Sequence, residues 1–517
     1  MRRRNSVAQH FIGIDFGACN IKAASYTAQG RQRKIKLNTS IGKGSETPNV
    51  IYYKDCNAYD VGTAALRSAE LGNKKNMITY VKRKLELEHW SAYIDSLGRD
   101  ITAIEAATDI FSWLQKTISN TLSQKQIRAV ITMPVCFSEM QKQRIYDAAI
   151  AAHIDVEAVI TEPFAAAFSI ENVFDEEGEQ VVLIFDFGGS TLDLSLLRVE
   201  NDGDGEVCIT ELAAKGMHYG GIDIDWDIYT RSFKPKYEAE IKNIIAAEDT
   251  SGYAEQELVS IVKELKEMIF DSEEENAECS HIFRGIQKNY IFALTRDEIY
   301  TVFSDIKIKD RIIQCLDELF DSTDEITKDE VTLAWSFGGT SKIPYFREIL
   351  SEYVGDDVFD SEDCDMDEAY IGIAAGAAHY FYLKNEENDI EIHNIIPFYI
   401  GINENNRFVK YINRNERYGF ETFYNPLRIA DLEKNNYTIS VYQTFNDISD
   451  APIDDEDIVF MGKIELDKTL YTDKEAVLFK MKMNEKGELH IRVYECQGEG
   501  QDCNIVLIED KVVLIGG

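Results

Sequence analysis

Two stretches of this sequence share one pattern. FIGIDFGACN begins at Phe11 and LIFDFGGSTLD at Leu183. Each reads as an apolar strand, an Asp (Asp15, Asp186) and a turn containing Gly (Gly17; Gly188 and Gly189). A second apolar run follows each turn, IKAASYTA or TLDLSLLRV, and predicts the returning strand of a hairpin. A Gly turn exposes backbone N–H groups and permits close approach, so it can wrap phosphate oxygens. An Asp at the strand end can hold the water shell of Mg²⁺. One copy alone is most often an ordinary turn. Two copies predict a duplicated α/β fold with a ligand between its halves. A third Gly turn, SFGGTSKIP with Gly338 and Gly339, completes a set of one turn per half for phosphates and one for a nucleoside.

The rest of the chain fits such a fold. Its 517 residues are enough for two to four domains. The net charge of -37 argues against nucleic acid and anionic membrane surfaces as partners. Phosphate must therefore be held locally, by backbone N–H groups, a divalent cation or a few placed lysines. The nine cysteines include no C-x-x-C pair, which favours reduced thiols in a cytosolic protein. MRRRNSVAQH is basic but no apolar segment follows it, so no secretory signal is expected. AYIGIAAGAAHYFYL, from Ala369, is too short to span a bilayer. The expected location is cytoplasmic.

QIRAVITMPV predicts a buried strand. Ser138 and Gln141 form a capping-box pattern ahead of the helix QKQRIYDAAIAAH, and Pro163 suits the first turn of the next helix. Leu258, Ile261, Val262, Leu265, Met268 and Ile269 fall on one helical face within 253–270. After Lys384, NEENDIEIH reads as a polar linker, and short β runs with turn signals between them follow. The expected organisation is a nucleotide-binding α/β domain over 1–384, a linker over 385–393 and a small all-β domain over 394–517.

Taken in order, these motifs resemble the 70-kDa heat-shock chaperone (DnaK) family of the actin-like ATPase superfamily. FIGIDFGACN and FDFGGSTLDLSLL are similar to its two phosphate motifs, and GMHYGGIDID to the segment after the second. AVITMPVCFSEMQKQRIYDAA with ITEPFAAAF is similar to its first connecting motif, SFGGTSKIP to its adenosine motif, and MDEAYIGIAAGAA to its second connecting motif. VGTAAL and the KR of TYVKRKLE also fall in the family's order. NIIPFYIGI, FMGKIEL and MNEKGELHIRV are similar to its peptide-binding β-sandwich.

The resemblance implies a duplicated actin-like (ribonuclease H-like) ATPase domain with two lobes, a β-sandwich behind it, and ATP or ADP with Mg²⁺ in the cleft. It implies that Asp15 and Asp186 hold the hydrated Mg²⁺, and that Glu162 and Asp193 orient water near the γ-phosphate. Gly17, Ala18, Cys19, Gly188, Gly189, Ser190 and Thr191 would line the phosphates. Gly220 and Gly221 would border the site from the other lobe. Gly338, Gly339 and Lys342 would flank adenine and ribose, and Lys266, on the polar face of its helix, would reach the ribose. The implied partners are extended peptide segments, a J-domain protein and a nucleotide exchange factor.

Several positions depart from the family pattern. Ala18 and Cys19 stand where two small hydroxyl residues are usual, Ser190 replaces a third glycine, and Lys342 replaces an Arg. In VGTAALRSAE, Leu66 stands where the resemblance places a catalytic lysine, with Arg67 beside it. Hydrolysis is therefore expected to be very slow or absent. Lys263 stands near a common adenine-contacting acid, and the linker DIEIHNIIP alternates Ile390 and Ile392 with Glu391 and His393. No helical segment follows the β runs, so no lid over bound peptide is expected. Two functions stay open. One is an ATP-binding chaperone-like protein that weakly holds apolar peptide, with Ile402, Phe408, Val409 and Ile412 as groove candidates against the plainer reading of β core. The other is a nucleotide-sensing scaffold or regulatory protein without turnover. The appended β part disfavours a small-molecule kinase.

Overall fold

The computed structural model of the protein describes residues 10–37, 47–87, 89–170, 174, 177–203, 206–247, 253–272, 274–283, 286, 288–359, 366–386, 390–472, 474–484, 487–497 and 504–515. Two mixed sheets organise its first three-quarters. One runs in the order Asp155–Thr161, Arg128–Met133, His10–Phe16, Asn20–Thr27, Gln32–Lys34, with Thr47–Pro48 added on Asn20–Thr27. The other runs Leu333–Phe337, Gly178–Phe187, Leu192–Asn201, Val207–Met217, Ile390–His393. Each is built on an antiparallel hairpin with a parallel neighbour: Arg128–Met133 beside His10–Phe16, and Leu333–Phe337 beside Gly178–Phe187. Both hairpins read from the sequence are present, with Asp15 opposite Lys22 and Asp186 opposite Asp193. Their strands read as near-continuous apolar runs because helices cover the sheet faces.

Helix Met366–Glu386 packs across His10–Phe16 and against helix Glu162–Ala167. At Gly376 a Cβ would lie 1.8 Å from the Ala165 carbonyl oxygen, so only glycine permits that approach. The capping box ahead of helix Glu139–Ala151 is formed: the Gln141 amide donates to Ser138 Oγ at 3.3 Å, and the Ser138 amide to Gln141 Oε1 at 2.7 Å. In helix Tyr253–Asp271, Leu258, Ile261, Val262, Leu265 and Ile269 are buried as their spacing predicts, while Met268 is exposed.

Beyond residue 393, a six-stranded and a four-stranded antiparallel sheet share one apolar core, to which Ile400, Val441 and Met461 contribute from one side and Phe479, Ile491 and Val493 from the other. Ile402, Phe408 and Ile412 are fully buried, which corrects their reading as groove residues. Ile402 and Ile412 belong to the shared core, Phe408 packs over Gly401 on the opposite face, and Val409 alone of the four is partly exposed. This part rests on helix Glu139–Ala151. The Glu139 amide donates to Gln443 Oε1 at 2.8 Å, Lys142 Nζ to the Tyr418 hydroxyl at 3.3 Å, and the Arg414 guanidinium to the Ala214 carbonyl.

Residues 390–393, expected within a polar tether, form a strand. It pairs in parallel with Val207–Met217, in register Val207↔Ile390, Cys208↔Glu391, Ile209↔Ile392, Thr210↔His393. Its apolar–polar alternation is therefore the period of a half-buried strand. Ile390 and Ile392 pack on the cluster that holds Val207 and Ile209, which leaves Glu391 and His393 on the other face.

The expectation of nine reduced thiols is corrected at Cys496, which is disulfide-bonded. The other six described cysteines are free, and Cys364 and Cys503 lie outside the described residues. A search for C-x-x-C spacing does not detect a wider pair. Among the described residues no helix is long and apolar enough to cross a membrane.

Candidate functional site

The two hairpin turns face each other across a cavity of about 360 Å³. From the first turn come Asp15, Gly17, Ala18 and Cys19; from the second come Asp186, Gly188, Gly189, Ser190 and Thr191. Glu162, at the start of its short helix, and Gly221 close two more sides. Lys266, Gly338, Gly339 and Lys342 line the far end. Asp193 and Gly220 stand just behind the lining. Asp193 Oδ1 accepts from the Val135 amide at 2.6 Å, and Gly220 backs onto Gly189 and Ser190 while its amide donates to Asp223 Oδ2 at 2.9 Å.

Tight backbone contacts shape the turns. The Gly188 amide donates to the Thr191 carbonyl at 2.9 Å, and the Gly188 and Gly189 carbonyls accept from the Gly221 and Ile222 amides at 3.1 and 2.8 Å. The Thr340 hydroxyl also donates to the Gly188 carbonyl at 2.7 Å. At Gly189 a Cβ would lie 2.4 Å from Cys19 Sγ, so the thiol of one turn touches the bare backbone of the other. At Gly338, φ is +88°, and a Cβ would meet the Phe187 carbonyl oxygen at 2.3 Å.

The phosphate end is dominated by charge. Asp15, Glu162, Asp186 and Asp193 are all buried. Lys82, which is 1 % exposed, is ion-paired with Glu162, and Lys22 with Asp15 at 3.3 Å. Burial alone would depress the Lys82 ammonium, but Glu162, Asp15 and Asp193 around it outweigh that and hold its pKa above the ordinary value. Burial pushes Asp193 up to about 7, with Glu162 adding to it. Burial, then Glu162, Asp193 and Asp15, holds the Asp186 carboxyl well above the usual range. Its Oδ1 is buried without a hydrogen-bond partner among the described residues. Four carboxylates against two ammonium groups, with two orphaned oxygens, Asp186 Oδ1 and Asp193 Oδ2, fit a divalent cation. No three of these carboxylates reach direct-ligand spacing among the described residues, so the cation would be held through water, as Mg²⁺ tolerates.

Leu66 lies on the short helix Thr63–Leu71, is 37 % exposed and does not line the cavity. Lys82, from helix Val81–Leu85, stands in the cavity as a separate lysine. Lys266, expected to reach the ligand from the polar face of its helix, lines the cavity. It is 6 % exposed and paired with Asp225 at 2.6 Å, because the helix turns that face into the cleft. The sequence reading gave no role to Lys22, Lys82 or Asp225, although all three line the cavity. The only signal for Lys82 was the KR of TYVKRKLE.

A protein-family model described as Hsp70 protein matches residues 11–508, a span that takes in the cleft-lining residues and all but the last strand segments of the C-terminal sheets. Members of that family bind ATP or ADP with Mg²⁺ and act as chaperones. With nearly its whole length matched, the chain belongs to the Hsp70 family.

Proposed function

We propose that this chain is an ATP-binding chaperone whose two lobes, over 1–384, take Mg-ATP between them and hydrolyse it slowly, and whose β-sandwich, over 394–517, weakly holds extended apolar peptide. One observation carries the reading: a buried acidic cluster with Lys82 at its centre sits between two Gly turns. In this reading Asp15 and Asp186 hold the hydrated Mg²⁺. The ion would supply charge neutralisation at the phosphate oxygens. Lys82 adds a fixed positive charge beside Glu162, and Asp193, titrating near neutrality, is suited to accept a proton from water. Gly188, Gly189 and Thr191 lie along the phosphates, with Lys266, Gly338, Gly339 and Lys342 at the nucleoside.

Slow turnover is attributed to Leu66, which stands where the family resemblance places a catalytic lysine, and to the first turn. Ala18 has no hydroxyl, and burial raises the Cys19 thiol pKa, keeping it a weak neutral donor. The same two residues are what favours the second reading, a scaffold that binds nucleotide without turnover. Single-turnover cleavage of γ-labelled ATP with Mg²⁺, beside ATP and ADP binding, separates the two. Cleavage that Asp15→Asn abolishes supports the chaperone cycle. ATP that binds and stays intact supports the scaffold. Absence of nucleotide binding overturns both. Release of a labelled apolar peptide on adding ATP tests the second half of the cycle, with a J-domain protein and an exchange factor as the expected accelerators.

A further inference from the structure

We propose that Cys208, Glu391 and His393 form a Zn²⁺ site that clamps the strand Ile390–His393 to the edge of the second sheet. Cys208 belongs to Val207–Met217, whereas Glu391 and His393 belong to the strand beside it. Glu391 pairs directly with Cys208, and His393 follows two residues later on the same face. One ligand atom from each side chain lies within 4.8 Å of the other two. A tetrahedral Zn²⁺ with bonds of about 2.0–2.3 Å needs its ligands about 3.3–3.8 Å apart, within about 1.5 Å of the spacing already present. It is the only such trio of His, Cys, Asp and Glu among the described residues.

The chemistry of the three ligands selects the metal. A thiolate with an imidazole and a carboxylate suits Zn²⁺ and is unsuited to Mg²⁺ or Ca²⁺, which take oxygen. Cys208 is a free, half-buried thiol whose sulfur lies 3.8 Å from the Thr210 hydroxyl. His393 Nε2 and Glu391 Oε2 already stand 3.6 Å apart. Three protein ligands leave a fourth position for water or a further donor. Because one ligand comes from the sheet and two from the strand that leads to the C-terminal sheets, the metal binds the docked strand and not the released one. It therefore stabilises docking by mass action. The site stands apart from the cleft and does not depend on the nucleotide reading.

The test uses the full chain, stripped of metal and titrated with Zn²⁺ against a chromophoric chelator, then with Co²⁺ as a spectroscopic substitute. The expected result is one Zn²⁺ per chain and a thiolate-to-Co²⁺ charge-transfer band. Cys208→Ser should abolish the band, and Glu391→Gln, at an exposed position, should weaken affinity by about tenfold or more. Zn²⁺ should also slow amide exchange in 390–393 in the native protein and not in Glu391→Gln. No stoichiometric binding, or a band and affinity unchanged in both variants, would overturn the proposal. Tight binding that leaves exchange in 390–393 unaltered would overturn the clamp.

Discussion

The ammonium of Lys82 and the carboxylate of Glu162 form an ion pair with almost no access to solvent, on elements eighty residues apart in sequence. Neither charge is stable there alone. Truncating one partner of a buried pair typically costs about 3–5 kcal/mol, because the other is left uncompensated. Lys82→Met should therefore lower the thermal midpoint, and Lys82→Met with Glu162→Gln should recover much of the loss. In single-turnover assays Lys82→Met should slow cleavage by about 100-fold or more. Leu66→Lys should speed cleavage, by supplying the cation the family resemblance places at that position.

The stability of the nucleotide-free protein should fall as pH rises. Burial raises Glu211 to about 8, although the Ser195 hydroxyl donates to it at 2.8 Å and the Ile395 amide also donates. Asp193 is raised to about 7. A carboxyl whose folded pKa lies above its unfolded one contributes stability that is complete below about pH 4 and is lost as pH passes the folded value. The thermal midpoint should thus decline from about pH 4 to about pH 8. Glu211→Gln should flatten the upper part of that slope, and saturating Mg-ATP the part due to Asp193. A midpoint that rises over this range would contradict both assignments.

Gly189→Ala should impair nucleotide binding, because its methyl group would meet Cys19 Sγ across the cleft. Overpacking of this kind costs about 1–3 kcal/mol. Cys19→Ala added to Gly189→Ala should restore much of the affinity, which calorimetric ATP titration would show. Equal affinity in the single and double variants would mean that the two turns do not touch in solution.

The C-terminal sheets should loosen from helix Glu139–Ala151 when Lys142 is truncated. Lys142 and Glu139 are both buried, with side-chain atoms 3.7 Å apart, and Tyr418 accepts from the lysine. Lys142→Met leaves Glu139 without its cation. Amide exchange in helix 139–151 and around Tyr418 should then accelerate together. Tyr418→Phe, which removes one hydrogen bond, should have a smaller effect of about 1 kcal/mol.

What the sequence determined by itself was local and repetitive. The Gly turns after Asp15 and Asp186, the hairpins around them, the capping box at Ser138 and the apolar stripe of the 253–271 helix are short-range patterns, fixed by strand and helix periods and by backbone sterics. Tertiary structure decided which charges meet. Lys82 reaches Glu162, and Lys266 reaches Asp225, because separate elements converge on one cavity, and no spacing rule encodes that convergence. The alternation of Ile390–His393 reads in the sequence as part of a polar linker, because a strand needs an edge to pair with. Only the fold brings up the edge of Val207–Met217, and with it Cys208 beside Glu391.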